Sequence, residues 1–515
     1  MVASASITEG QPYASRDGRR GSPEGGDGRR PCCVNRWLAL FLLFLGLAAA
    51  LHAPGFSDRV FNSDETYLAT QARVLVDGGR LYVDTVDRKP PVVPYLYAAV
   101  FRLTGSDELA PIRALAVLAQ ALTALLLAVE ARRRLRWRHA AVFTGCAYLF
   151  TAIAFLPADA QAANFEVFML PVMTAAMLLG IRDRPGGAGV ALGVATLTKQ
   201  TAAVVLLPLA YLAWRFRRWR SVLLLGAAFA GPLVLAALVF GPHDFTFWVF
   251  TGNGGYVDIS GVVGYTLALG ARQTAWFLFG SAALIVLLPF AWPERRTDRD
   301  LWLWLASGIV AVTLGFRFFP HYYLQLLPPI ALLSARGVDV ASARRRNGVL
   351  AVVGILAVVS TTYFLVPAFT GTDSRDTRIA LAVAAYVKQH TRPDQHVLVW
   401  GQAPEVYWAS GRRPATRFAT TGFLTGATGG RPPRLVGPQY AVPGAADDFF
   451  TDLRRMPPAL IADMSTADQR HARYYPPSHF ARFQHFLDVG GWHRVAVVDG
   501  VAILRPTVHR SRISR

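Results

Sequence analysis

Apolar runs that approach the length of a bilayer crossing dominate this chain. A transmembrane helix needs about 20 such residues. The runs fall at 37–51, 110–130, 140–156, 167–181, 188–198, 201–214, 221–241, 274–292, 301–316, 322–335 and 348–367, about eleven in all. The segments between them alternate in charge. Counted from a cytoplasmic start, every second connection is basic: 132–138, 182–184, 215–220, 294–296 and 344–346 carry clustered arginines. The connections around Asp159, Asn253 and His321 do not. Retention of Arg and Lys on the cytoplasmic side produces this parity. The expected class is therefore a polytopic α-helical membrane protein with its N-terminus in the cytoplasm and everything after 367 outside.

Composition agrees. Of 515 residues, 17% are charged and 53% hydrophobic, against about 25% charged in soluble domains. The mean hydropathy is +0.31. A net charge of +20 does not make nucleic acid a partner here. Lysine occurs only at Lys89, Lys199 and Lys388, and the arginines concentrate between apolar runs. No basic stripe interleaves with aromatics on a soluble stretch. Cys32, Cys33 and Cys146 form no Cys-x-x-Cys pair, which argues against a structural zinc site.

Three regions follow. Residues 1–36, rich in Gly, Ser, Arg and Asp, read as a disordered cytoplasmic tail. Its length, and the lack of a small-residue cleavage site after 37–51, favour an uncleaved first span. Residues 37–368 form the membrane part, with a long extracytoplasmic loop at 55–109. In that loop 66–77 is amphipathic, and 91–104 suits a helix lying in the interface. The short runs beside Lys199 suit a re-entrant hairpin. The segment 242–272, with Gly252-Asn253-Gly254-Gly255 at its centre, suits a loop over a site. Residues 369–515 read as an extracytoplasmic soluble α/β domain, with a helix at 378–390 and strands at 396–400, 459–462 and 495–504.

Ionisable residues at the mouth of a helix bundle are costly unless they have a use. The parity places Asp64, Lys89, Asp159, Lys199, Arg317 and His321 together on the outer face. Asp64 and Glu65 suit a general base or a metal ligand, and equally suit the first turn of a helix behind Asn62 and Ser63. Asp87-Arg88-Lys89-Pro90-Pro91 reads as a solvated turn or as a phosphate contact. Lys199, next to Gln200, either snorkels or pairs with a phosphate. Aromatics around Arg317 and His321 suit a membrane-interface belt or an anion site. Asp159, with Asn164 and Glu166 nearby, faces the same exterior. Carboxylates and cations sharing one outer cavity fit transfer from a lipid-linked phosphate donor.

With these residues placed, the chain resembles the polyprenyl-phosphate-dependent membrane glycosyltransferases of the GT-C fold. That superfamily includes protein O-mannosyltransferases and the transferases that add aminoarabinose to lipopolysaccharide. The matching pieces are Asp64-Glu65 after the first run, 82–91 with Lys89-Pro90-Pro91, and the acidic loop at Asp159. Leu197-Thr198-Lys199-Gln200 and His321-Tyr322-Tyr323 with Pro328-Pro329 complete them, so the resemblance covers roughly 37–335.

The resemblance implies a glycosyltransferase of the bacterial plasma membrane. Its donor is a sugar on polyprenyl phosphate, and its acceptor a glycan, lipid or protein. Asp64 and Asp159 would be the catalytic carboxylates, with Asp64 taking the acceptor proton. Arg88, Lys89, Lys199, Arg317 and His321 would hold the lipid phosphate, supported by Glu65, Asp87, Glu166, Gln200 and Tyr322. The resemblance names no certain cofactor, and a divalent cation is left open. Arg88 stands where aminoarabinose transferases tend to carry an acid, with Asp87 as the nearest substitute. The rival class is a carrier or flippase of lipid-linked sugars. Carriers place ionisable groups near the bilayer midplane, whereas these cluster at the outer ends. A second rival is an inactive relative acting as a scaffold.

Overall fold

The computed structural model describes residues 32–253, 259, 262–370, 374–427, 431–432, 435–467 and 475–507. Of the expected tail at 1–36, residues 1–31 lie outside the described residues, as do 254–258 of the glycine-rich loop. The chain divides into two compact units, Met1–Ala39 and Leu40–Arg515. In the first, the described part is the start of the helix Cys32–Leu51. The second holds all other elements discussed below.

Among the described residues, three helices are long and apolar enough to cross a membrane: Ala110–Arg134, Arg218–Phe240 and Arg344–Phe369. Val263–Gly280 and Ala282–Glu294, bent by 73° where they meet, make a fourth if they form one span. Five further expected spans, near 37–51, 140–156, 167–181, 188–198 and 201–214, are apolar helices of 10–17 residues, and the runs at 301–316 and 322–335 hold the helices Arg299–Thr313 and Leu327–Val340. Leu223, Leu235, Leu238, Ile355 and Val358 are exposed along two of the long helices. Apolar side chains facing outward are what a lipid solvent requires of a helix.

Local chemistry shifts several boundaries. The runs at 201–214 and 221–241 are joined: a 3-10 helix Gln200–Val205 leads into one helix, Leu206–Phe240. The arginines at 215–220 therefore lie within one helix and not in a loop, with Arg218 at φ +54°, outside helical geometry. The run at 274–292 breaks at Ser281. The helix Pro185–Thr198 lies directly on Leu206–Phe240. A Cβ at Gly189 would come within 2.5 Å of the Leu225 carbonyl oxygen, and one at Gly193 within 2.7 Å of that of Phe229. Small residues permit such backbone contact between helices in lipid.

Contacts between the connections fall into two sets. In one, Arg134 bonds Glu130, Asp298 and Asp300, Arg182 bonds Glu130, and Arg336 bonds Asp298 and Asp339. In the other, Asn62 Nδ2 donates to the Ala158 carbonyl (2.8 Å), His321 meets Asp159, and Gln200 Nε2 donates to the Arg88 carbonyl (3.0 Å).

The C-terminal part carries a five-stranded sheet in the order β2-β1-β3-β5-β4. Its strands are β1 His396–Trp400, β2 Arg413–Pro414, β3 Leu460–Asp463, β4 Trp492–Val498 and β5 Val501–Pro506. β1 pairs in parallel with β2 and β3, whereas β3–β5 and β4–β5 are antiparallel. The single strand expected at 495–504 is thus a hairpin. Asp499 and Gly500 both take positive φ (47° and 85°), the backbone a two-residue Asp-Gly turn uses.

This part packs on the helix Ser63–Val76. Arg73 donates to the Tyr407 and Trp408 carbonyls, each at 3.0 Å, and Thr70 lies against the Pro404 carbonyl. One apolar core runs from Phe44 through the bundle to Trp400, Phe449 and Phe483.

Candidate active site

Asn62 settles how the carboxylates at 64 and 65 are used by the backbone. Its Oδ1 accepts from the Asp64 N–H at 2.8 Å, so Asn62 caps the helix Ser63–Val76. Glu65 is fully buried. It accepts from Arg113 Nη2 at 2.6 Å and from the Ala163 N–H at 2.9 Å, and Arg113 Nη1 donates to the Asp58 carbonyl. These bonds tie the start of the helix to the turns at 58–59 and 162–164. The half-buried Asp64 carboxylate makes no hydrogen bond or ion pair with the described residues. It faces a cavity of about 770 Å³.

That cavity collects most of the residues singled out in the sequence. Asp64, Asp87, Arg88, Lys89, Asp159, Lys199, Gln200, His321 and Tyr322 all line it. Arg317 is buried and does not line it. Glu65 and Glu166 stand just behind the wall.

Lys89 lies over the Phe165 ring at 4.3 Å, and its carbonyl accepts from the Tyr82 hydroxyl at 2.8 Å. Arg88 lies over Phe423 at 4.4 Å. Lys199 pairs with Glu166 and lies 3.9 Å from the centre of the Tyr322 ring. His321 Nδ1 is 2.8 Å from Asp159 Oδ1, its backbone N–H donates to Asp159 Oδ2 at 2.8 Å, and its Nε2 is 3.6 Å from Glu166. A continuous chain Asp159–His321–Glu166–Lys199 results.

Two carboxyls on this wall are pushed in opposite directions. Burial raises Asp87 above its ordinary value, against the pull of Lys89 and of the Arg88 N–H at 2.6 Å. Burial acts on Asp159 in the same sense, but the charge and hydrogen bonds of His321 outweigh it and hold Asp159 below its ordinary value.

Backbone strain concentrates on the same loops. Of seven non-glycine residues with positive φ among the described residues, Tyr82, Leu156, Phe316 and Phe318 flank Lys89, Asp159 and His321. Such conformations cost about 1–3 kcal/mol each and persist where the surroundings impose them. Among the described residues no group of three His, Cys, Asp or Glu side chains is arranged to hold a metal ion.

Sequence reasoning missed the opposite wall. Asp376, Gln402, Glu405, Arg431 and Tyr475 also line the cavity. They lie more than 280 residues beyond Lys89 and carry no motif, so only the packing of the C-terminal part on Ser63–Val76 brings them there.

The fold and the cavity together define a helical membrane protein with a mixed acidic and cationic site at one end of its bundle. The dolichyl-phosphate-mannose-protein mannosyltransferase family matches residues 88–243.

Two similar proteins are the undecaprenyl phosphate-alpha-4-amino-4-deoxy-L-arabinose arabinosyl transferases of Pseudomonas aeruginosa. The one from strain LESB58 is 24% identical over 376 residues, 65% of this chain and 66% of that protein. The one from strain UCBPP-PA14 is 26% identical over 310 residues, 53% and 55%. The matches thus span just under two thirds of these relatives' length, or less.

Among solved structures, ArnT from Cupriavidus metallidurans bound to undecaprenyl phosphate superposes with a TM-score of 0.58 and 17% identity, covering 92% of this chain and 98% of that one. The Archaeoglobus fulgidus oligosaccharyltransferase in the apo form gives 0.53 and 10%, over 84% and 70%. The resemblance to GT-C membrane glycosyltransferases, read from Asp64-Glu65 and Lys89-Pro90-Pro91, is borne out, and the fold is ArnT-like.

Proposed function

We propose that this protein is a membrane glycosyltransferase that moves a sugar from a polyprenyl-phosphate carrier to an acceptor hydroxyl, with Asp64 as general base. One observation carries the reading. One cavity is lined by Asp64, a carboxylate without a hydrogen-bond or ion-pair partner among the described residues, and by the cations Arg88, Lys89 and Lys199. The polyprenyl phosphate of the donor would lie against the wall of those cations, where charge-assisted bonds are strongest. The acceptor hydroxyl gives its proton to Asp64 as its oxygen bonds to the anomeric carbon. The bond from that carbon to the phosphate oxygen breaks, and polyprenyl phosphate departs with the electron pair. The charge growing on that oxygen is stabilised by Lys89 and Lys199, and the Asp159–His321 pair holds the 320–322 segment against the same wall.

The same reading sets the site on the outer face of a bacterial plasma membrane. About eleven crossings, a cytoplasmic N-terminus and an extracytoplasmic C-terminal part would satisfy the alternation of arginine-rich connections. Vesicles reconstituted with the protein and a defined polyprenyl-phosphate sugar test the activity. Release of polyprenyl phosphate that depends on both acceptor and Asp64 is expected; movement of intact lipid-linked sugar across the bilayer without release would assign the carrier function instead.

A further inference from the structure

The wall contributed by the C-terminal part differs chemically from the wall suited to a lipid phosphate. It presents Asp376, Gln402, Glu405, the Phe423 ring and Tyr475. Glu405 is only 4% exposed. Ser63, the residue before Asp64, lines the same cavity as Glu405 and Asp64, and its hydroxyl acts on the Glu405 carboxyl against the effect of burial. The Tyr475 hydroxyl is buried and has no hydrogen-bond partner among the described residues. Its backbone is held by the Trp400 indole N–H, which donates to the Tyr475 carbonyl at 2.7 Å. Gln402 Nε2 donates to the Ala427 carbonyl at 2.6 Å, leaving its side-chain oxygen as an acceptor. Arg431, the cation on this wall, lies over the Tyr440 ring at 4.7 Å and donates to the Gly426 carbonyl.

We propose that this wall is the acceptor subsite and that it takes a neutral carbohydrate, whose hydroxyls are read by Glu405 and Tyr475 beside Asp64. The proposal rests on the transfer reading above and adds the class of acceptor. A sugar offers donors to a carboxylate and both donor and acceptor to a phenol. A buried hydroxyl without a partner is unfavourable until something pairs with it, and a sugar hydroxyl does so. An anionic acceptor group would face Asp64, Asp376 and Glu405 together, and like charges at one site oppose its entry.

Two measurements on the full-length protein in detergent test this. One is retention on immobilised short neutral oligosaccharides, on their phosphorylated counterparts and on basic peptides. The other is titration with polyprenyl phosphate, followed by tryptophan fluorescence. Neutral oligosaccharides should be retained, with apparent affinity falling about tenfold in Glu405→Gln and severalfold in Tyr475→Phe, the scale of one lost hydrogen bond to a buried group. Affinity for polyprenyl phosphate should stay within about twofold of wild type in both variants, because the opposite wall is intact. Both substitutions keep size, and a monodisperse elution profile checks that each folds. Retention only on phosphorylated sugars or basic peptides, no retention on any neutral oligosaccharide, or retention indifferent to both substitutions would overturn the proposal. Neutral sugars bound through Glu405 by a protein without affinity for polyprenyl phosphate would instead contradict the transfer reading and keep the carbohydrate site.

Discussion

Adjacent in the chain, Asp64 and Glu65 meet different surroundings. Glu65 is buried against Arg113 and the Ala163 N–H, whereas Asp64 faces the cavity. Asp64→Asn keeps size and cannot take a proton, and Asn62 retains the cap. We expect normal expression and elution, with transfer lower by about two orders of magnitude or more. Glu65→Gln should do the reverse. Removing one partner of a buried pair costs about 3–5 kcal/mol, so a large drop in thermal stability in detergent should precede any specific loss of chemistry.

The lysines divide similarly. Lys199→Met strands Glu166 inside the protein, so part of its defect is structural. Adding Glu166→Gln should restore stability but not transfer. Lys89, placed over Phe165 with its carbonyl held by Tyr82, should tolerate Met structurally and lose tenfold to a hundredfold in activity, about 1.5–3 kcal/mol for a charge-assisted contact. If Lys89→Met is as active as wild type, Lys89 does not hold the phosphate.

Asp159 carries a pH signature. Its folded value lies below the ordinary one. The stability its charge contributes is therefore complete above the ordinary carboxylate value, about 3.9, and fades as pH falls through the folded value. The difference in melting temperature between wild type and Asp159→Asn should be full near pH 6 and shrink below about pH 4. A difference that grows on acidification would contradict the His321 pairing.

At the level of elements, the sequence was legible where periodicity and caps speak. The helix expected at 66–77 exists as Ser63–Val76, the one at 91–104 as Val92–Thr104, and the strand at 396–400 at those same residues. It was less legible where apolar content hides a break. Arg218 at φ +54° and the 73° bend after Gly280 leave no trace in hydropathy. The hairpin at 492–506 did have a signal, Asp499-Gly500, which the apolar run on either side concealed. The contact between Pro185–Thr198 and Leu206–Phe240 depends on Gly189 and Gly193. Gly189→Val would drive a side chain into the Leu225 carbonyl; loss of the monodisperse species on gel filtration is expected. Gly226→Ala, where a Cβ meets nothing within 4 Å, should elute as wild type. Equal behaviour of the two variants would mean that the helices do not meet at Gly189.

Across the whole molecule, the arginine pattern carries the most information in the sequence, because it leads to an expectation of which connections share an end. The contacts of Arg134, Arg182 and Arg336 in one set and of Asn62, Asp159, Lys199 and His321 in the other fit it. That brought the wall of Arg88, Lys89 and Lys199 within reach of sequence reasoning. The opposite wall was out of reach, since Glu405 and Tyr475 enter only through tertiary packing. Sidedness is testable in a background free of cysteine. Asp394, with its side chain 70% exposed, should react as Asp394→Cys with an impermeant thiol reagent from outside intact cells. Exposed Arg138 should react as Arg138→Cys only after permeabilisation. The opposite pattern would place Asp64 on the cytoplasmic side.

The central claim is that the cavity breaks the bond between an anomeric carbon and a lipid phosphate with Asp64 as base. The most direct measurement is release of polyprenyl phosphate from a radiolabelled polyprenyl-phosphate sugar in proteoliposomes. It would compare wild type with Asp64→Asn, with a neutral oligosaccharide acceptor present or absent. Acceptor-dependent release by wild type is expected, with label appearing on the acceptor, and release lower by about a hundredfold in Asp64→Asn. Equal release by the two proteins, or transfer of label without release of lipid phosphate, would contradict it.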